Sequence, residues 1–331
     1  MKIVVRMTSG LGNQMLQYNF YRFIQEKYPE AIVKADTKWL YRNDPHHGYE
    51  LPKIFPNISK PEYEVKEAGF FECLRVSGQF QGLSHNHFVE KKWAGLSGKI
   101  NKVLRKGCMA DTFISNMIDD SMGQLSEKYV TDENGNRVTA LYDTVMHLDP
   151  KKDYYISGYW SYEAFYKDRL ERLRDELMIP EPTDDMNKKF LDEINCCNSV
   201  SIHMRRGDYL LPENAGRFKL LGKEYYDSAI KYIKERISNP RFFIFSDDIE
   251  YAKKVFSDIE NTVYVSCNSG FNSYRDMQLM SACQNNIIAN STFSQWAALL
   301  NKNKDSIIIY PSSYLYCEDT EEKTLPGWVR I

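Results

Sequence analysis

The sequence predicts an α/β protein in two parts, the first a Rossmann-like half, and three observations predict it. The chain opens with strand, glycine turn, helix and strand; its second half alternates apolar strand runs with helices; and a proline-rich break separates the two. Lys2 to Met7 is a short β-branched run, interrupted by Thr8-Ser9-Gly10-Leu11-Gly12-Asn13-Gln14. From about 14 to 28, Met15, Tyr18, Phe20, Phe23, Ile24 and Tyr28 recur at helical spacing until Pro29 ends the pattern. Residues 31–36 read as the next strand. The stretch from about 86 to 149 is less regular, with one polar turn at 132–136 that reads as a hairpin or an exposed loop. Strand character returns at 154–160, and a charged helix is expected from about 162 to 178, stopped by Pro180 and Pro182. The Pro180-Glu181-Pro182-Thr183-Asp184-Asp185 run is the strongest boundary signal, so domains are expected at 1–180 and 181–331.

The second half is more regular. Strands are expected at 199–204, 241–245, 262–266, 286–289 and 307–310, with helices at 223–236, 249–256, 273–283 and 294–300 between them. Apolar strand runs in β-α alternation mean a parallel sheet covered on both faces.

Composition narrows the class of protein. Lys plus Arg is 43 against 45 Asp plus Glu, a net charge of -2, which excludes the basic excess of a nucleic-acid binder. Hydrophobic content of 43% with 27% charged residues excludes a disordered chain. The cysteine count of 7 is odd and contains no C-x-x-C, which reads as reduced thiols with neither a disulfide framework nor a zinc site. The opening apolar run is too short for a signal peptide, and no stretch approaches the ~20 apolar residues of a membrane span. A soluble, cytoplasmic protein is expected, with peripheral contact at a membrane left open.

In open α/β sheets the ligand sits at the carboxyl ends of the strands, so the residues just after each strand carry the functional information. After 199–202 come His203-Met204-Arg205-Arg206-Gly207-Asp208-Tyr209. Adjacent arginines with a glycine next suit forked recognition of phosphate oxygens, and equally a surface ion pair with Asp208. After 242–245 come Ser246-Asp247-Asp248, a carboxylate pair suited to the N–H donors of a guanine or to capping the helix at Ile249. After 287–289 come Asn290-Ser291-Thr292-Phe293-Ser294, hydroxyls and free amides at a helix start, which make an anion site or a plain cap. The Gly10–Gln14 loop lets the backbone approach a phosphate, but it is neither a dinucleotide fingerprint nor a P-loop. There is no Asp-x-Asp, so no metal-dependent nucleotide-sugar chemistry of that type is expected.

Together these pieces resemble one family. The segments Gly10-Leu11-Gly12-Asn13-Gln14-Met15, Gly158-Tyr159-Trp160, His203 to Tyr209, Phe245-Ser246-Asp247-Asp248, Asp276-Met277-Gln278-Leu279-Met280 and Ile287 to Ser294 keep the order of the bacterial-type α-1,2-fucosyltransferases, glycosyltransferase family 11. The resemblance spans nearly the whole chain. It implies a GT-B fold, two Rossmann-like domains facing a cleft, with GDP-L-fucose held mainly by the C-terminal one. It implies inverting transfer to the 2-hydroxyl of a terminal β-galactoside, without metal or cofactor, in assembly of a bacterial surface polysaccharide.

Carried over residue by residue, the resemblance makes Arg205 the β-phosphate grip, with His203 and Arg206 supporting it. Asp247 resembles the guanine-reading carboxylate, and Ser291, Thr292 and Ser294 the phosphate and ribose contacts. Gly10, Gly12, Asn13 and Gln14 would close on the donor, with Asn13 near the reacting sugar. Asp208 is the candidate base by position, against the alternatives that it orients Arg205 or that the donor phosphate takes the proton. Ser9-Gly10, Leu16 and Gln295-Trp296 depart from the family pattern, which bears on acceptor preference. Two other readings stand beside this one: the same donor site with another acceptor hydroxyl, or a non-catalytic glycan binder. Retention of both arginines, Asp247 and the serine loop argues against the binder.

Overall fold

The computed structural model describes residues 1–42, 46–77, 116–119, 129–135, 137–214, 218–312 and 324–331. The chain divides into two compact units, Met1–Arg169 and Leu170–Ile331. Each is an α/β unit around a parallel sheet.

In the first unit, β1 (Lys2–Arg6), β2 (Ile32–Asp36), β3 (Asn116–Asp119) and β6 (Tyr154–Ser157) form a sheet of order β2-β1-β6-β3. Every pairing in it is parallel. Val4, Val5, Tyr155 and Ile156 are fully buried, as a sheet covered on both faces requires. β4 (Tyr129–Thr131) and β5 (Arg137–Thr139) pair antiparallel, so the polar turn that begins at Asp132 joins a hairpin.

The first helix, Leu11–Lys27, starts three residues ahead of the expected position. Gly10 is its N-cap in an extended conformation, and Ser9 before it turns the chain with a φ of 67°. Gly12, Asn13 and Gln14 therefore lie in the first helical turn and not in a loop. Periodicity missed this turn because Gly12 and Asn13 carry no apolar signal. The helix is buried nearly all round, and its polar residues are satisfied by the strand ends. Gln17 accepts from Thr8 N at 2.8 Å and donates to Gly158 O at 3.1 Å, tying together the segments just after β1 and β6. Phe20 stacks on Trp160 with ring centroids 3.7 Å apart.

In the second unit, β7 (Ser199–Met204), β8 (Arg241–Ser246), β9 (Thr262–Val265), β10 (Asn285–Ile287), β11 (Ile308–Tyr310) and β12 (Val329–Arg330) form a sheet of order β12-β11-β10-β7-β8-β9. It too is parallel throughout. Val200, Ile202, Phe242, Ile244 and Ile287 pack with Tyr226, Ile230 and Ile233 of the Lys223–Lys234 helix into its core. The chain runs outward from β7 through β8 and β9, then returns to place β10 on the other side of β7. That reversal is a topological switch point, where a crevice opens at the carboxyl ends of β7 and β10.

The units meet in sequence eleven residues before the expected boundary, and the hydrogen bonds explain the difference. Arg174 of the Leu170–Glu176 helix donates to the carbonyls of Leu299 and Asn301, which makes that helix part of the second unit. Arg275 and Gln278 both donate to Pro180 O, at 2.6 and 3.0 Å. The proline-rich run is thus strapped onto the second unit. The charged helix expected from 162 is broken into two 3₁₀ turns, Glu163–Phe165 and Lys167–Arg169, before Leu170–Glu176. Arg169 is the cause: its side chain is buried and bonds to Asn19 and Glu26 of the first helix.

Candidate active site

The switch point of the second unit collects the polar segments that the sequence singled out. β7 ends in His203-Met204-Arg205, β8 lies in register beside it with Met204 opposite Ser246, and β10 leads to Asn290-Ser291 on the other side.

Arg205 is held between two carboxylates. Its Nη2 lies 2.7 Å from Asp208 Oδ1 and its Nη1 2.8 Å from Asp247 Oδ2. The side chain keeps 30% of its surface exposed, so it faces solvent from a fixed position. Arg206 points elsewhere: Nε meets Asp248 Oδ2 at 3.1 Å, and the guanidinium carbon lies 3.4 Å from the centroid of Tyr251. The backbone N–H of Arg206 donates to Asp247 Oδ1 at 2.8 Å. Gly207 is required by the same contact, because a Cβ there would stand 2.6 Å from Asp247 Oδ2. The two aspartates after β8 therefore divide the tasks that the sequence left open. Asp248 caps the Ile249–Val255 helix by accepting from Tyr251 N, and Asp247 braces Arg205 and its loop. Asp247 was expected to read a guanine; in this structure both of its carboxylate oxygens are engaged by the arginine loop. Arg206 was expected to support Arg205, by nucleotide contact and by orienting the loop; here its side chain is engaged by Asp248 and Tyr251.

His203 is buried, and burial together with the Arg205 charge pushes its pKa down to about 3, so the imidazole is neutral across the physiological range. Its Nδ1 is buried with no hydrogen-bond partner among the described residues, a state that costs about 1–3 kcal/mol. Its ring lies 5.9 Å from that of Phe293, in the first turn of the Thr292–Leu300 helix that follows β10. Tyr209 links the two segments: it stacks on Phe218 at 4.3 Å, and its hydroxyl donates to Asn290 O at 2.6 Å.

The Thr292–Leu300 helix starts at this point with Ser291 as its N-cap, whose Oγ accepts from Phe293 N at 3.3 Å. Its first turn carries no acidic side chain. Thr292 is half-buried at the first helical position. Ser294 was expected as a ligand contact, but it is fully buried, and its hydroxyl bonds to Ala289 N and Ser291 O. It fixes the shape of the turn.

In the first unit, Gly10 lies under His46, whose Nδ1 would be 3.1 Å from a Cβ at that position. Gln14 was expected at the donor. It is fully buried instead: Nε2 donates to Ser9 O and Gly48 O, each at 2.9 Å, and Oε1 accepts from Glu50 N at 3.0 Å. It fastens the 46–50 segment over the helix start. Gly12 is buried and Asn13 half-buried in the first turn.

Sequence reasoning assigned no role to Asp276, although it quoted the motif that contains it. Asp276 lies in the first turn of the Tyr274–Ala282 helix, and burial raises its carboxyl to about 7, against one hydrogen bond from Asn268 Nδ2 at 2.7 Å. Asn268 in turn exchanges hydrogen bonds with Asn187, which Asp184 holds. Among the described residues no group of three or more His, Cys, Asp or Glu is placed to hold a metal ion. Nor is any described helix long and apolar enough to cross a membrane.

The site so described is a polar crevice at the carboxyl ends of a parallel α/β sheet, the place where such folds hold their ligands. The model of glycosyl transferase family 11 matches residues 125–331. The O-antigen biosynthesis glycosyltransferase WbnK of Escherichia coli is 37% identical over 98% of this chain and 99% of its own length. An α-1,2-colitosyltransferase of Escherichia coli is 29% identical over 99% of this chain and 98% of its own. The bovine galactoside α-(1,2)-fucosyltransferase 2 is 23% identical over 53% of this chain and 54% of its own. Among solved structures, fucosyltransferase NodZ from Bradyrhizobium aligns over 90% of this chain and 93% of that one, with 13% identity and a TM-score of 0.45. The chain belongs to glycosyl transferase family 11. Its two successive Rossmann-like units are the architecture that the GT-B expectation called for.

Proposed function

We propose that the chain transfers L-fucose from GDP-β-L-fucose to the 2-hydroxyl of a terminal β-galactoside, with inversion and without a metal ion, during synthesis of a surface polysaccharide. The observation that carries this reading is Arg205, fixed at the carboxyl end of β7 with its side chain part-exposed, on the strand that pairs with the one leading into the Thr292–Leu300 helix. A forked cation and a helix start together suit a diphosphate. The relatives support the rest: one acts in O-antigen biosynthesis, and vertebrate members bear the name of galactoside α-(1,2)-fucosyltransferases.

In the reaction the galactose 2-oxygen attacks the anomeric carbon of fucose from the face opposite the diphosphate. The bond from that carbon to the phosphate oxygen breaks, and GDP leaves with the electron pair. Arg205 stabilises the charge that grows on the leaving group, an effect typically worth 10²–10³-fold in rate. The hydroxyl proton goes to Asp208 or to a donor phosphate oxygen. The orphaned Nδ1 of neutral His203 gains a partner from the bound nucleotide, and the hydroxyl of Thr292 at the start of its helix meets the phosphates.

A second reading is favoured by the colitosyltransferase relative: the same α-1,2 linkage, made from a GDP-linked colitose. The test is transfer in EDTA from GDP-fucose and GDP-colitose to a panel of β-galactosides, with the product linkage read by NMR. A 2-linked α-fucoside supports the first reading. Transfer of colitose alone favours the second, and a linkage to another hydroxyl rejects the regiochemistry.

A further inference from the structure

Both terminal nitrogens of Arg205 are taken by carboxylates, and a diphosphate held at this site would use that same pair of N–H edges. One carboxylate must leave when a diphosphate arrives, and the two are not held alike. Asp247 is tied twice, by Arg205 Nη1 and by the backbone N–H of Arg206, and it packs against Gly207 at the end of β8. Its side chain is 24% exposed, against 41% for Asp208. Asp208 sits on a single 3₁₀ turn, Gly207–Leu210. Its Oδ1 lies 2.7 Å from Nη2 without the alignment of a hydrogen bond, and no other described group bonds to that oxygen.

Resting on the GDP-sugar reading of this site, we infer that Asp208 is a place-holder for the donor's diphosphate: it occupies Nη2 of Arg205 in the free enzyme and yields it to a phosphate oxygen, while Asp247 stays. Two carboxylates on one guanidinium leave the trio negative, and an incoming diphosphate adds like charge, so the carboxylate held by charge alone is displaced. The exchange has a mechanistic consequence. A carboxylate is released beside the leaving group only when the donor is present, so the donor binds before the acceptor hydroxyl is engaged.

The two aspartates must then respond to neutralisation with opposite signs. GDP affinity is measured by titration calorimetry on the full chain for the wild type, Asp208→Asn, Asp247→Asn and, as a charge control, Asp227→Asn, whose carboxylate pairs with Lys223 on the surface. Asp208→Asn is expected to bind GDP about three- to tenfold more tightly, because a competing ion pair and a like charge are removed. The gain should shrink as salt is raised. Asp247→Asn is expected to bind about tenfold or more weakly, and Asp227→Asn to match the wild type. A melting curve for each variant checks the fold, and Asp208→Ser must move in the same direction as Asp208→Asn. Unchanged or weakened GDP binding in a folded Asp208→Asn protein overturns the inference and makes Asp208 an orienting group. A wild type that binds no GDP overturns the nucleotide reading itself.

Discussion

Gly207→Ala is the smallest change that isolates the brace behind Arg205. The added methyl would lie 2.6 Å from Asp247 Oδ2 and 3.1 Å from its Cγ. Restoring an ordinary contact near 3.4 Å pushes the carboxylate away by about 0.8 Å, enough to take it beyond hydrogen-bond reach of Arg206 N and to loosen its ion pair with Arg205 Nη1 without breaking it. The hydrogen bond lost is one to a charged group, worth about 1.5–3 kcal/mol. Rotation of a short side chain recovers part of that, so a net loss of about 1–2 kcal/mol is expected, or a fall of roughly 2–8 °C in melting temperature. GDP affinity should fall by up to about tenfold, because the carboxylate that fixes the orientation of Arg205 is displaced. A double-mutant cycle with Asp247→Asn, read by GDP titration, separates this path from any other: if both changes act through one contact, the double variant is no worse than the more damaging single one. Additive losses, or unchanged GDP affinity in Gly207→Ala, would refute the reasoning.

Other parts of the structure give further expectations. Gln14→Leu leaves Ser9 O, Gly48 O and Glu50 N without their partner and should cost about 2–3 kcal/mol by chemical denaturation, while the second unit's GDP affinity is kept. Glu72 sits between Lys2 and Lys34 at 2.7 and 2.8 Å, and its carboxyl is lowered from 4.5 to about 2. Its contribution is present above the unfolded pKa and lost as pH falls through the folded one. The stability advantage over Glu72→Gln should therefore be full at pH 6, shrink below about pH 4.5 and be gone near pH 2, by urea midpoints. Asp276 has the opposite sign: raised from 3.8 to about 7, it costs stability progressively as pH rises across that interval. Asp276→Asn should melt higher than the wild type at pH 8 and equal to it below about pH 4; a constant difference at both would show that the carboxyl is not perturbed.

The strand ends were legible because apolar runs stop abruptly at Met204, Phe245 and Ala289, and each gives way to a polar segment. That alone put Arg205, Asp247 and Ser291 on one edge of a sheet. Strand order was not legible, since nothing local to β7 or β10 says that they are neighbours; the switch point is a long-range fact. The pairing of Arg205 with Asp208, three residues on, was legible; Asp247 and Asp248 were hidden as partners for the same reason as the strand order, because they follow a strand some forty residues later. Gln14 and Ser294 look like ligand groups in a motif, and burial turns both into internal braces. The proline-rich run at 180–182 has the composition of a linker, but Arg275 and Gln278, nearly a hundred residues away, bind its carbonyl. Asp276 escaped because only burial distinguishes it from any other aspartate in a helix's first turn.

The most direct test of the central claim, that Arg205 holds the leaving diphosphate of a GDP-sugar, is the rate of GDP release during transfer to a β-galactoside by wild type, Arg205→Lys and Arg205→Ala. Loss of the fork predicts a fall in kcat of about 10²-fold or more in Arg205→Ala, with Arg205→Lys in between and melting temperatures preserved. An Arg205→Ala enzyme that keeps its rate within a few fold of the wild type would contradict the account.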